Sequence, residues 1–283
     1  MDKNILARNL LILNQLENIS SELLKRSLHV CVLKGAALML AFPDYAKERL
    51  MEDIDMLVRP SELSEVRKLF LSMNYTPVNG DPCAMKNPSA IAPVDIIDNI
   101  WYLDADENKQ LFDEAKAFRL AKPFSAFFHL KLEDFYIHVL AHGALHHAED
   151  NIVWKKDLSL IWEKWGKTIR FAEIEAKLKQ YGFQRAVDTY MSPDLAEDSF
   201  YRRLLNSENN PYKGHIARFI FLPSKKKVRY LYSSLFPAKD FLKNRYNLKN
   251  GTEVFYYRLL RPFLFFSNLA GFALRTFLQR KPR

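Results

Sequence analysis

The chain has 283 residues, of which 48% are hydrophobic and 27% charged, with only 8 Gly and 13 Pro. This balance excludes wholesale disorder, collagen-like repeats and low-complexity scaffolds, and it allows a sizeable core in one large or two modest domains. The two cysteines, Cys31 and Cys83, are too few for a disulfide framework, and Cys31 lies in an apolar run that predicts a buried thiol. No basic segment followed by an apolar stretch and a cleavage site begins the chain, so we expect a cytoplasmic location without a secretion signal.

The net charge of +9 is unevenly distributed. Residues 201–283 contain 18 Lys/Arg and 3 Asp/Glu, a net charge of +15, whereas residues 1–200 contain 24 Lys/Arg and 30 Asp/Glu, a net charge of −6. A basic, aromatic-rich segment favours an anionic partner such as phospholipid, nucleic acid or a phosphorylated substrate. The two parts of the chain therefore have different partners or roles.

The N-terminal elements alternate between helix and strand. Apolar residues at three- and four-residue steps predict an amphipathic helix from Asn4 to Lys25, and a short strand follows from His29 to Leu33. Lys34-Gly35 ends that strand and turns into a helix, Ala36–Phe42, which Pro43 stops. The order along the chain is therefore strand, glycine turn, helix.

Further along the chain, mixed elements give way to helices. The patterns predict a strand at Asp53–Val58, a helix from a Ser61 N-cap to Met73, a strand at Val94–Ile97, helices at Ala126–Leu145, Trp154–Trp165 and Phe171–Tyr181, and a loop or loosely packed boundary at Asp188–Pro211.

Two carboxylates share one face of the second predicted strand. Residues i and i+2 of a strand point the same way, so Asp53 and Asp55 would project together while Ile54 and Met56 point to the other face. Like charges held close together oppose each other's ionisation, and a divalent cation between them removes that cost. Oxygen ligands of this kind suit Mg²⁺ or Mn²⁺. The alternative interpretation is an edge strand whose acids simply face solvent.

A third acid, Asp95, lies inside the predicted strand Val94–Ile97. If that strand pairs beside Asp53–Val58, Asp95 completes a cluster able to hold two ions roughly 3.5–4 Å apart, as in phosphoryl-type displacements. Asp98, one residue past the strand, is the alternative third acid.

The glycine turn adds a phosphate-binding feature upstream of these acids. A glycine at the start of a helix lets phosphate oxygens approach backbone N–H groups. Together, the Gly35 turn, the Asp53-Ile54-Asp55 strand and Asp95 resemble the DNA polymerase β-like nucleotidyltransferase superfamily. With Arg49 placed ahead of the acids, residues 5–165 more closely resemble the bacterial uncharacterised nucleotidyltransferase family of that superfamily.

The resemblance implies roles for the acids. Asp53 and Asp55 would bind Mg²⁺, and Asp95 would join them as a metal ligand and orient or deprotonate the acceptor hydroxyl.

The resemblance also implies a nucleotide-binding set. Lys34 and Gly35 would face the triphosphate of the nucleoside triphosphate, and Arg49 would neutralise phosphate charge. Arg49 could equally be a surface residue paired with a neighbouring glutamate. The chain departs from many superfamily members at Ala36, where a serine hydroxyl would otherwise contact phosphate.

Three histidines, His138, His142 and His146, recur every fourth residue and predict one shared helix face. The spacing permits a zinc site, but the glutamate that a metalloprotease helix carries after its first histidine is absent. We favour a helix that packs on the catalytic domain, with His142, His146 and Asp157 as candidate residues of the substrate cleft.

The basic C-terminal region contains an apolar, aromatic stretch. Its longest charge-free part, Pro262–Leu274, spans only about 20 Å as a helix, against about 30 Å of bilayer hydrocarbon, and is too short to cross. Two alternatives remain: an interfacial helix on an anionic membrane, flanked by basic residues that include Arg280, Lys281 and Arg283, or a helix packed on the protein's own core. We do not expect nucleic acid as a partner, because no binding motif accompanies Lys225–Lys227.

The sequence therefore predicts an α+β protein: a small mixed β-sheet catalytic domain with helices over residues 1–120, a helical domain closing the cleft over 121–200, and a basic helical region over 201–283. The leading hypothesis is Mg²⁺-dependent transfer of a nucleoside monophosphate from a nucleoside triphosphate to a hydroxyl acceptor, such as a small molecule, a glycan precursor or a protein, with release of pyrophosphate. The alternative is a non-catalytic binding protein on a degenerate scaffold, attached to a membrane or partner through its tail.

Overall fold

The computed structural model describes residues 3–149, 151–192, 199–207, 210 and 212–278. The chain divides into two compact units, one made of Met1–Tyr136 with Glu163–Ile169 and the other of Ile137–Trp162 with Arg170–Arg283. All strands of the described residues lie in the first unit, and the second unit is helical. The α+β class is thus confirmed, whereas the three-part division at residues 120 and 200 stays a prediction.

The first unit is built on one six-stranded mixed sheet. Its strands, in chain order, are β1 (Val30–Val32), β2 (Ile54–Leu57), β3 (Thr76–Val78), β4 (Asp81–Lys86), β5 (Val94–Ile97) and β6 (Phe127–Phe128). The spatial order is β3-β4-β5-β2-β1-β6. The central strand β2 is parallel to β5 and antiparallel to β1, while β1 is parallel to β6. The predicted pairing of the two acid-bearing strands is therefore confirmed.

The helices that begin in the first unit are α1 (Lys3–Lys25), α2 (Lys34–Ala41), α3 (Leu63–Ser72), α4 (Ala105–Ala115) and α5 (Leu132–Ala141). A short 3₁₀ turn at Pro43–Lys47 follows α2. One stripe of apolar residues in α1, at three- and four-residue steps, is fully buried: Ile12, Leu16, Ile19 and Leu23. Cys31 is also buried in the sheet, as its apolar neighbours predict.

In the second unit, α5 continues into a π-helical turn at His142–His147. The remaining helices are α6 (Ile152–Trp165), α7 (Phe171–Tyr181), α8 (Gln184–Met191), α9 (Ser199–Leu205), α10 (Tyr212–Phe221), α11 (Ser224–Leu235), α12 (Lys239–Tyr246) and α13 (Gly251–Leu278). The π-helical turn and α10 meet at backbone distance, because a Cβ at Gly214 would lie 1.7 Å from the His146 carbonyl oxygen. Only glycine permits this approach.

The helix α13 packs one face on its own unit and exposes the opposite face. Val254, Phe265 and Phe272 are buried, whereas many of its other apolar residues are exposed. Within the described part of the chain, no helix combines the length and the apolar character needed to cross a membrane. This confirms the length argument made for Pro262–Leu274. The flanking Arg280, Lys281 and Arg283 lie outside the described residues.

Two predicted boundaries are wrong. Ser61 is not the N-cap of α3: Glu62 holds that position without a side-chain hydrogen bond, since residues 59–62 form a turn closed by Glu62 N–H donating to the Arg59 carbonyl. The helix predicted from Ala126 begins only at Leu132, because Phe127 and Phe128 pair with β1 as strand β6. Tertiary strand pairing overrides the apolar pattern there.

The predicted loop at Asp188–Pro211 is partly wrong. Helix α8 extends to Met191, and α9 forms from Ser199 to Leu205 with Tyr201 and Leu204 buried against the second unit. Residues 193–198, 208–209 and 211 of that stretch lie outside the described residues.

Candidate active site

The parallel pairing of β2 with β5 brings three acids together. Asp55 stands directly opposite Asp95 in the register, and Asp53 lies two residues before Asp55, on the same side of the chain. One carboxylate oxygen from each lies within 4.8 Å of the others. Among the described residues this is the one group of three or more His, Cys, Asp or Glu side chains with a geometry able to hold a metal ion. Asp98 is not part of it.

The strand alternation that aims these acids also builds the core. Ile54, Met56 and Ile96 are fully buried on the opposite side. The Asp55 carbonyl accepts a hydrogen bond from Leu33 N–H at 3.0 Å, which ties β2 to the end of β1. Asp55 and Asp95 are therefore positioned by paired strands, and Asp53 directly precedes the first residue of β2.

The electrostatics of the cluster are unfavourable without a cation. Burial, followed by the nearby Asp55, raises the pKa of Asp53. Burial, followed by the charges of Asp55 and Asp53, raises the pKa of Asp95 from 3.8 to about 7. Asp55 is only 7% exposed, and its Oδ1 accepts from Lys34 Nζ at 2.6 Å. Lys34 and the guanidinium of Arg49, which acts on Asp53, offset only part of the charge of three carboxylates, and the remaining negative excess fits a divalent cation.

The turn from β1 into α2 delivers Lys34 to the acids. Lys34 adopts a left-handed backbone conformation with φ of +47°. Helix α2 begins at this residue without a side-chain N-cap. Because the first N–H groups of a helix lack intrahelical acceptors and carry the positive end of the helix dipole, this turn suits an anionic group.

Gly35 and Arg49, both predicted to contact the nucleotide, are neighbours. A Cβ at Gly35 would lie 2.8 Å from Arg49 Cζ and 2.6 Å from Met51 Sδ. The absent side chain thus makes room for the guanidinium beside the first turn of α2. The structure brings Lys34, Gly35 and Arg49 to the same end of the sheet as the acids.

The segment that carries Arg49 is held by α1, through a residue that the sequence analysis missed. The buried Asn9 donates to the carbonyls of Ala46, at 2.8 Å, and Arg49, at 2.6 Å, and accepts from Met51 N–H at 3.3 Å. Arg8 Nε donates to the Met51 carbonyl at 2.8 Å. A polar residue on the apolar stripe of α1 was the available signal, because a buried amide needs partners.

The histidines lie in the second unit and form an aromatic cluster. The rings of His142 and His146 stack at 5.1 Å, and His147 lies 4.5 Å from His142. Trp154 of α6 completes the cluster, 4.8 Å from His147. The π-helical turn, which shifts the rotation per residue, adds His147 to the set that four-residue spacing had predicted.

Two other residues from that analysis also lie in the second unit. Asp157 is buried on α6, and His138 is buried on α5. The histidines do not belong to a metal-binding group of the kind that the acids form within the described residues. The cleft role of His142, His146 and Asp157 stays a prediction.

Comparisons with known proteins give one family. The family model described as uncharacterised nucleotidyltransferase matches residues 2–192, more than half of the chain. The matched segment contains the acid cluster, the Lys34-Gly35 turn and Arg49. No curated protein and no solved structure matches the chain. By the extent of this match, the chain belongs to the uncharacterised nucleotidyltransferase family.

Proposed function

We propose that this protein is a cytoplasmic enzyme that transfers a nucleoside monophosphate from a nucleoside triphosphate to a hydroxyl group, with Mg²⁺ as cofactor and pyrophosphate as the second product. The observation that carries the proposal is the convergence of Asp53, Asp55 and Asp95 within 4.8 Å, beside the turn that begins α2. Family membership supports the reaction class, and the geometry supports the assignment of residues.

The residues present fit a divalent metal. Three carboxylates supply hard oxygen donors, and the raised pKa values of Asp53 and Asp95 reflect a cluster that is costly to ionise alone. Mg²⁺, or Mn²⁺, held by these acids would neutralise phosphate charge and polarise the acceptor oxygen.

The phosphates would lie against α2 and the basic side chains. Backbone N–H groups at Gly35 and the following residue can donate to phosphate oxygens, which offsets the missing hydroxyl at Ala36. The guanidinium of Arg49, packed beside Gly35, offers a planar fork for phosphate. Lys34, at 2.6 Å from Asp55, places its charge between the acids and the phosphates.

The acceptor hydroxyl would be oriented by Asp95. Its carboxylate would accept the hydroxyl proton as the bond to the phosphate forms, a role that requires the ionised form, which a cation held by the three acids would favour. We assign His142 and His146, whose rings are clustered on the π-helical turn and partly exposed, to contacts with the substrates. Asp157 is buried, so its proposed cleft role is to position neighbouring side chains. The acceptor is a small molecule, a glycan precursor or a protein side chain.

The test is a thermal-shift screen of ATP, GTP, CTP and UTP with and without Mg²⁺. We expect a metal-dependent shift with at least one nucleotide, lost in Asp53→Asn/Asp55→Asn and kept in Asp98→Asn, whose side chain is a matched acid outside the cluster. Loss of pyrophosphate release in the first variant, with a retained folded state, then separates chemistry from stability. Full activity in Asp53→Asn/Asp55→Asn would refute the proposal.

A second candidate is a non-catalytic binding protein on this scaffold, attached to a membrane or partner through residues 201–283. The absence of a hydroxyl at Ala36 and the exposed apolar residues of α13 favour it. The absence of any nucleotide shift in the wild-type protein would support this candidate over the enzyme.

A further inference from the structure

The helix α13 exposes a continuous apolar face. Six residues on adjacent turns form this face, here named the α13 apolar face: Phe255, Tyr256, Leu259, Leu260, Phe263 and Phe266. Phe263 is 74% exposed and Tyr256 66% exposed. At 100° per residue, this face lies opposite the buried stripe of Val254, Phe265 and Phe272. A contiguous face of this size indicates an interaction surface rather than scattered surface residues.

Two arginines of α13 hold the helix against neighbouring segments of its own unit. Arg258 Nη2 donates to the Pro237 carbonyl at 3.1 Å, and Arg261 Nε donates to the Ser234 carbonyl at 2.9 Å. These bonds attach α13 to the end of α11 and the segment before α12. The helix therefore cannot rotate to bury its apolar face without breaking them.

The neighbouring helix α11 presents the same combination of chemistry. Its exposed side contains Lys225 and Arg229 beside Val228, which is 72% exposed, and Tyr232. Large apolar side chains next to lysine and arginine are typical of helices that lie in the interface of an anionic bilayer.

The charge of residues 201–283 distinguishes among the partners that could cover the α13 apolar face. Residues 201–283 carry a net charge of +15, so two copies meeting through this region would bring like charges together. A nucleic acid would satisfy the basic residues but leave the aliphatic Leu259 and Leu260 in contact with water. Anionic phospholipid satisfies both, because its headgroups attract the lysines and arginines while the acyl boundary accepts the apolar side chains.

We propose that the α13 apolar face binds the surface of an anionic phospholipid membrane, with α13 lying parallel to the bilayer plane. The α13 apolar face runs from Phe255 to Phe266, about 18 Å of the helix, so it would place about three turns of apolar side chains along the interface. The proposal stands on the C-terminal helices and is independent of the nucleotide site.

The experiment measures binding of the full chain to vesicles of phosphatidylcholine with and without phosphatidylglycerol. We expect binding to the anionic vesicles that weakens at high salt. Phe263→Ser/Phe266→Ser should lower the partition coefficient of the protein onto anionic vesicles by at least about tenfold, because the variant removes two exposed aromatic rings that would contact the apolar part of the bilayer. Lys225→Glu/Arg229→Glu should weaken binding to anionic vesicles by about tenfold or more.

The matched control is Leu10→Ser/Leu11→Ser, which removes two leucines, each 54% exposed, from α1. This control should bind as the wild type does, and all variants should keep the thermal midpoint of the wild type, because none of the changed side chains is buried. Absence of vesicle binding by the wild type, or equal binding by Phe263→Ser/Phe266→Ser, would overturn the proposal. A dimer in sedimentation that the same variant dissociates would assign the face to a second copy instead.

Discussion

Replacing Asp95 by asparagine should stabilise the metal-free protein at high pH. The folded protein holds the pKa of Asp95 at about 7, against an ordinary value of 3.8. At pH values below both, the carboxyl is protonated in the folded and unfolded states. As pH rises between these values, the unfolded chain releases the proton while the folded chain retains it, so the free energy of unfolding falls until about pH 7.

The magnitude follows from the size of the shift. About three pKa units at about 1.4 kcal/mol each give about 4 kcal/mol as an upper limit. Asp95 is partly exposed, and solvent screening reduces the effect to about 2 kcal/mol. Asp95→Asn has no ionisable group at this position, so its free energy of unfolding should not fall by this amount as the pH rises.

The assay is urea denaturation in EDTA at pH 5 and pH 8. We expect the stability of Asp95→Asn relative to wild type to increase by about 1–2 kcal/mol between these pH values. Asp98→Asn, one residue past β5 and outside the cluster, should show no such change. Saturating Mg²⁺ at pH 8 should stabilise the wild type more than Asp95→Asn. Parallel pH dependence in wild type and Asp95→Asn would refute the electrostatic account of the site.

Three glycine substitutions test packing, one at the candidate site and two in the helical unit. Gly35→Ala should weaken nucleotide affinity about tenfold, because the new methyl group displaces the neighbouring guanidinium. The free energy of unfolding should change by less than about 1 kcal/mol, because the flexible side-chain ends near Gly35 can move aside. Titration calorimetry measures the affinity and denaturation the stability, and an unchanged affinity would contradict the assignment of Gly35 to the nucleotide site. Gly214→Ala should lower the free energy of unfolding by about 2 kcal/mol or more, because its Cβ meets a backbone carbonyl. Gly271→Ala, whose Cβ would meet no atom within 4 Å, should raise the free energy of unfolding by about 0.5–1 kcal/mol. Equal effects of the two substitutions in denaturation experiments would contradict the packing described.

The acid cluster could be predicted because its determinants are local. Two-residue alternation sets which way Asp53 and Asp55 point, and the short apolar run around Asp95 marks a buried strand. Only the pairing of the two strands required an assumption, and the parallel register of Asp55 with Asp95 confirms it. The helix periods of α1, α6 and α7 were visible for the same reason.

Two elements were missed although each has a local sequence signal. The hairpin of β3 and β4 was missed although Asn79-Gly80 is a strong turn signal, because Pro77 and Pro82 argue against strands on both sides. Helix α4 was also missed, despite the capping box formed by Asp104 and Glu107.

The position of Arg49 could not be predicted from the local sequence pattern. Its carbonyl is held by Asn9, forty residues earlier in the chain, and its guanidinium lies beside Gly35. The spacing of these residues along the sequence predicts neither contact. The same limit applies to the π-helical turn, whose extra residue per turn brings His147 against His142.

The register between β2 and β5 limits which insertions and deletions these two strands can accept. A single-residue insertion or deletion inside either strand would turn Asp55 or Asp95 toward the core and push Met56 or Ile96 into solvent. Such a change would remove the acid cluster and the core in one step, with no functional intermediate between the two states. We expect length differences among family members to fall in the connections outside these strands.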